Sequence, residues 1–112
     1  INIKMIDYST FEKLDFRVGT ILLAEEFPKA KKTAYRLKID FGPLGILKSS
    51  AKIKNSYKIN DLMGKQIIAV VNIGIKKFAD FESQCLVLGV NQNEDIVLLS
   101  PENKIPNGQQ IL

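Results

Sequence analysis

AKIKNSYKINDLMGK, residues 51–65, joins two stretches that each read as β-strand. Asn60 or Asp61 can cap a single helical turn here, and Gly64 can close it through the left-handed backbone that glycine tolerates. The segment is therefore read as one helical turn between a third and a fourth strand. Downstream, Gln66 to Ile73 is a buried strand carried by Ile67, Ile68, Val70 and Val71. Upstream, Ile46 to Ser50 is the third strand, returning from a turn at Gly42-Pro43-Leu44-Gly45.

Working outward, the clearest alternation runs from Tyr35 to Phe41. Tyr35, Leu37, Ile39 and Phe41 face one way and Arg36, Lys38 and Asp40 the other. Phe16 to Phe27 is the first strand, its imperfect alternation expected of a strand buried on part of both faces. Phe27 to Thr33, punctuated by Pro28, is a loop. Ser9-Thr10-Phe11-Glu12 has the form of a capping box and predicts a short helix starting there. Asn72 to Gln84 is a charged loop, followed by a fifth strand at Gln84–Val90, a turn at Asn91–Glu94 and a sixth strand at Asp95–Ser100. The tail PENKIPNGQQIL is turn-rich, with a final strand at Gln109–Leu112. Short strands with one helical turn between the third and fourth outline an all-β, Greek-key barrel of the OB type. An SH3-like barrel or an open sandwich uses similar strands; the helical connection favours the OB fold. The chain reads as one domain, with an N-terminal helical extension over 1–14, the barrel over 15–100 and a C-terminal extension over 101–112. Ile6, Tyr8, Phe11, Ile111 and Leu112 are apolar groups outside the barrel strands, and we expect them to meet in a homodimer interface.

Composition narrows the chemistry. Histidine is absent, which removes the commonest general base and the commonest zinc ligand. The single cysteine, Cys85, lies in an apolar strand and reads as a buried structural thiol rather than a nucleophile. Glu25-Glu26 and Glu94-Asp95 are adjacent in strands, so each pair faces opposite ways and is not arranged for joint acid–base work. No metal or cofactor motif is found, and no enzyme activity is expected. No apolar run approaches the length of a membrane span, and no signal-peptide core opens the chain, so a cytoplasmic location is expected. Beginning at Ile1, the sequence reads as trimmed at its N-terminus.

The net charge is +4, which permits a polyanion partner without requiring one. Its distribution says more. An OB barrel binds oligonucleotides on its second and third strands, framed by the loops between strands 1 and 2 and strands 4 and 5. Lys29, Lys31 and Lys32 fall in the first loop and Lys76 and Lys77 in the second. Arg36 and Lys38 fall on the second strand and Lys48 on the third. Those eight are half of the sixteen cationic residues, brought to one surface if the fold is as read. Lysines there can neutralise phosphates. Asn72, Ser83 and Gln84 can hydrogen-bond to base edges, 2′-hydroxyls or phosphates, and Phe78 or Phe81 can stack on an unpaired base. The competing reading leaves the lysines solvated and makes the rings plugs at the barrel mouth, the preferred role for Phe81.

FEKLDFRVGTI (11–21), LKSSAKI (47–53), KQIIAVVNIGIKKFADFESQCLVLG (65–89) and PNGQQI (106–111), in this order, resemble the tRNA-binding OB domain family. The family motif after the fourth strand is matched by Asn72, Lys76, Lys77 and Ser83, while Ile75 replaces its usual proline and Asp80 its usual glycine. The resemblance implies a barrel whose terminal extensions build a homodimer, and non-catalytic binding of tRNA by shape. Within the family the likeness is nearest to stand-alone members described as export-related chaperones, which implies unfolded or exported polypeptides as the alternative partner.

Overall fold

The computed structural model describes residues 1–27, 34–78 and 81–112. Its spine is β1, Phe16–Glu26, a strand long enough to serve two neighbours. The first half pairs antiparallel with β4 (Gln66–Val70), from Phe16↔Val70 to Thr20↔Gln66. The second half pairs with β2 (Tyr35–Asp40), from Thr20↔Asp40 to Glu26↔Tyr35. The register slips between Ile21 and Leu23, so Ile21 and Ala24 both reach the core although three residues apart. Beyond Ile21 this β-bulge bends the strand around the barrel; before it, Val18 and Gly19 are adjacent and both buried, so the strand is covered on both faces there, as its imperfect alternation predicts. Gly19 lies two residues before the bulge, against Ile39 and Phe41. A Cβ there would lie 2.6 Å from Ile39 Cγ2 and 2.7 Å from the Phe41 ring, so only glycine lets the strands approach.

Tyr35, Leu37 and Ile39 of β2, with Phe41 just beyond it, fill the barrel interior as the alternation requires. Gly42–Leu44 forms a 3₁₀ turn, and β3 (Ile46–Ala51) returns beside β2. The connection over 51–65 does contain a helical turn, α2 (Ile59–Leu62), burying Leu62 beneath β1. Its N-cap is Lys58, so Asn60 and Asp61 lie inside the turn instead of capping it. Gly64, at φ +82°, donates its N–H to the Ile21 carbonyl at 2.8 Å and feeds the chain into β4. The early helix, α1 (Tyr8–Phe11), is capped by Asp7 without a side-chain hydrogen bond, so Ser9 lies within the helix and the capping box does not form.

Beyond β4 the chain differs from the sequence reading. The expected loop over 72–84 holds a hairpin of β5 (Lys76–Phe78) and β6 (Phe81–Ser83). The expected fifth strand divides into β7 (Leu86–Val87) and β8 (Gly89–Gln92). β8 pairs instead with β9 (Asp95–Leu98), turning at Asn93, whose φ is +59°. The main sheet has the order β3-β2-β1-β4-β7. Its two edges are joined by a short seam rather than a ladder. Gln84 donates its N–H to the Lys48 carbonyl (2.7 Å) and accepts the Lys48 N–H on Oε1 (2.9 Å). Ser49 Oγ donates to the Cys85 carbonyl at 2.9 Å. The result is an OB-type Greek-key barrel. The tail returns along β1 through one bridge, Arg17↔Gln110, flanked by Val18 N–H to Gln109 O and Ile111 N–H to Phe16 O. That bridge stands where a full strand was expected.

Candidate nucleic-acid interface

The outward face of β2 and β3 carries Arg36 and Lys38 beside Ser50 and Lys48. In register Lys38 lies opposite Lys48, and Arg36 opposite Ser50. Two like charges face each other across this pair of strands. Arg36 is engaged on both sides, with Nε 3.4 Å from Glu25 and its guanidinium 5.4 Å from the Phe27 ring centroid. Phe27 and Phe81 meet edge to face at 5.3 Å, and Lys48 Nζ lies 5.5 Å from the Phe81 ring. The aromatic pair is thus held between two cations. Phe81 is half-buried in this stack, closer to a plug than to a free platform.

The β5–β6 hairpin separates its two lysines. Lys76 is opposite Ser83 and Lys77 opposite Glu82. Neighbouring residues of a strand face opposite ways, and Lys76 and Ser83 both line a groove of about 440 Å³ against β3 while Lys77 does not. Ser83 Oγ accepts the Ser50 N–H at 3.1 Å and lies 3.3 Å from Ser50 Oγ. The groove has apolar walls from Phe27, Ile73 and Leu86 and a second lysine, Lys52, on its margin. Lys52 is not among the eight cations that the strand order assigns to the binding surface; its place two residues after Ser50 in LKSSAKI is the local signal for it.

Two of the expected ligand-reading side chains are occupied by the protein itself. Asn72 Oδ1 accepts the Asp15 N–H at 2.8 Å, and Nδ2 donates to the Lys13 carbonyl at 2.7 Å. Gln84 holds the β3 seam through Oε1. Lys29, Lys31, Lys32 and Asp80 lie outside the described residues. Glu25 faces Arg36 and Glu26 faces Lys54 at 2.6 Å, so this pair serves two different cations. Cys85 is buried, and desolvation pushes its thiol up to about 11, partly countered by the hydrogen bond with Ser49. Among the described residues no cluster of metal-ligating groups occurs, and no helix is long and apolar enough to cross a membrane.

Separate from this groove, Tyr8, Phe11, Ile111 and Leu112 surround a shallow depression of about 160 Å³. The rings of Tyr8, Phe11 and Phe16 form a tilted chain along it. Ile6 is exposed and does not line this depression.

Over residues 16–110 the sequence matches the family described as "Putative tRNA binding domain". The methionine–tRNA ligases of Methanococcus aeolicus and Methanococcoides burtonii are 38% and 35% identical over 96% and 93% of this chain. The chain spans 16% and 15% of the length of those two relatives. Among solved structures, the chaperone CsaA of Bacillus anthracis is 48% identical with a TM-score of 0.91, covering 97% of this chain and 100% of that one. CsaA of Picrophilus torridus is 46% identical with a TM-score of 0.90, over 96% and 100%. A MetRS related protein from Pyrococcus horikoshii is 26% identical with a TM-score of 0.86, over 98% and 100%. With the match running from the start of β1 to the bridge at Gln110, the chain belongs to the tRNA-binding domain family.

Proposed function

We propose that this protein is a non-catalytic tRNA-binding protein that holds structured RNA on the β2–β3 face and the inner side of the β5–β6 hairpin. The observation that carries this reading is the convergence of Arg36, Lys38, Lys48 and Lys76 on one side of a barrel of the tRNA-binding family. Phosphates meet Lys38, Lys48 and Lys76. Arg36, braced by Glu25 and Phe27, adds field more than geometry. Lys29, Lys31 and Lys32, in the segment between β1 and β2, extend the positive field. Ser83 serves the ligand through the groove, whereas Asn72 and Gln84 act by shaping the backbone around it. The protein works as a cytoplasmic homodimer through its terminal extensions.

The test is a salt series of tRNA binding. Each lost phosphate contact flattens the slope of log K against log salt by roughly 0.7–0.9. Lys76→Ala is expected to lose about that much, and Lys77→Ala much less because it faces away from the groove. An unchanged slope in Lys76→Ala, with intact fold, refutes this placement.

A second reading is favoured by a specific observation: the 48% identity that spans the whole of the Bacillus anthracis chaperone CsaA, combined with the apolar walls of the groove. On this reading the ligand is an unfolded or exported polypeptide. Peptide capture through apolar contacts changes little with salt, whereas tRNA binding falls steeply. Wild-type protein that captures peptides at all salt concentrations and shows no salt-sensitive tRNA binding decides for the chaperone.

A further inference from the structure

We propose that the groove between β3 and residues 73–76 is a receptor for one unstacked nucleotide, its base seated against the apolar walls and its phosphate on the lysine margin. This deepens the tRNA-binding reading and rests on it for the ligand class. Three features of the groove point to a nucleotide. Its volume, about 440 Å³, lies in the range of sites that enclose small ligands. Phe27, Ile73 and Leu86 supply apolar surface, while Ala34, Ala51 and Gly74 keep the space between them open. A flat base is desolvated at little cost on such a surface.

The polar groups are few and placed at one side. Ser50 Oγ and Ser83 Oγ lie 3.3 Å apart, and each hydroxyl both donates and accepts. Such a pair fits base edges of either polarity, or a 2′-hydroxyl, so it accepts several bases instead of selecting one. Ser49 Oγ does not take part, because it is held by the Cys85 carbonyl.

Charge decides between an anionic ligand and a neutral one. Lys52 and Lys76 line the groove, and no carboxylate does so among the described residues. Lys48 stands close by over Phe81. An apolar cleft whose charged lining, among the described residues, is Lys52 and Lys76 complements a ligand that is apolar at one end and anionic at the other. A neutral extended peptide satisfies the walls but leaves the ammonium groups without a counterpart.

The experiment titrates isotope-labelled protein with single-stranded trinucleotides, with inorganic phosphate as the control, and follows backbone amides by NMR. The expected result is movement of Ser50, Lys52, Gly74 and Ser83 with trinucleotide and not with phosphate at equal phosphate concentration. Two variants follow. Leu86→Trp fills the groove from a half-exposed position, and Ile73→Ala removes a wall from an exposed loop. Each is expected to weaken trinucleotide and tRNA binding by roughly tenfold without changing the salt slope, since no charge is lost. The inference is overturned if phosphate alone reproduces the shifts, if a neutral apolar peptide moves these amides and trinucleotides do not, or if both folded variants bind like wild type. If trinucleotides fill the groove but tRNA binding lacks salt sensitivity, the groove stands and the tRNA reading falls. Salt-sensitive tRNA binding with a groove silent to trinucleotides gives the reverse.

Discussion

Asn72 is the residue where an RNA contact and a fold contact are most easily confused, and substitution separates them. In Asn72→Ala the Asp15 N–H and the Lys13 carbonyl both lose their partner. A net hydrogen bond contributes about 0.5–1.5 kcal/mol, and water replaces part of it at an exposed site, so the pair amounts to about 1–2 kcal/mol. For a domain of this size that corresponds to a fall in Tm of about 4–10 °C. Asn72→Asp keeps the acceptor for Asp15 but sets a carboxylate oxygen against the Lys13 carbonyl, so it should be no more stable than the alanine variant. Thermal unfolding gives the first readout, and hydrogen exchange of the Asp15 amide gives the local one, expected to quicken. Binding of tRNA, measured well below the transition, should change little in Asn72→Ala and keep its salt slope. A variant with wild-type Tm, unchanged Asp15 exchange and weakened tRNA binding would refute the clamp and return the side chain to the ligand.

Other consequences are as direct. Gly19→Ala drives a methyl into Ile39 and Phe41 and should destabilise by about 1–3 kcal/mol or more; a wild-type midpoint in urea would show that this contact relaxes freely. The Cys85 thiol ionises near 11 in the folded protein against an ordinary 9.0, so the neutral form is favoured by folding. Its contribution is complete below about pH 9 and is lost as pH rises toward about 11, by up to about 2–3 kcal/mol relative to Cys85→Ser. Parallel stability curves for the two proteins across that window contradict this, as does rapid thiol labelling of native protein at pH 8. Light scattering should return twice the 12.6 kDa of one chain, and Phe11→Asp should return one; a wild-type monomer at micromolar concentration excludes the interface around Tyr8, Phe11, Ile111 and Leu112.

How much the sequence discloses depends on the range of the forces involved. β2 is plain because four alternating apolar residues specify one face, and all four are buried. The helical turn after β3 is legible for the same local reason, though its cap is not. The β5–β6 hairpin escapes because strands of three residues are too short to display a period. The break between β7 and β8 falls at Leu88, which donates its N–H to the Ile68 carbonyl and accepts the Leu99 N–H, a change of partner visible only once β4 and β9 are both in place. In the site, the lysines can be assigned to a face from strand parity, but the partners of Asn72 lie 57 and 59 residues away. Nothing local distinguishes an amide that reads a ligand from one that ties down a distant backbone.

On the proposed reading, the opposed Lys38 and Lys48 place stability and ligand capture in competition at a single cross-strand pair. Opposite charges at such a position stabilise a sheet by roughly 0.2–1 kcal/mol, and like charges destabilise it by a similar amount. Lys48→Glu is therefore the substitution that a search for thermal robustness alone would select, and it is also one that should repel RNA. The same self-repulsion would make the unliganded barrel responsive to its surroundings, because a polyanion that bridges the two ammonium groups binds the folded state more tightly than the unfolded chain and raises its melting temperature by mass action. A melting temperature that climbs with polyphosphate in wild type, and stays flat in Lys48→Glu, would mark this pair as a place where tolerance to heat has been traded for affinity.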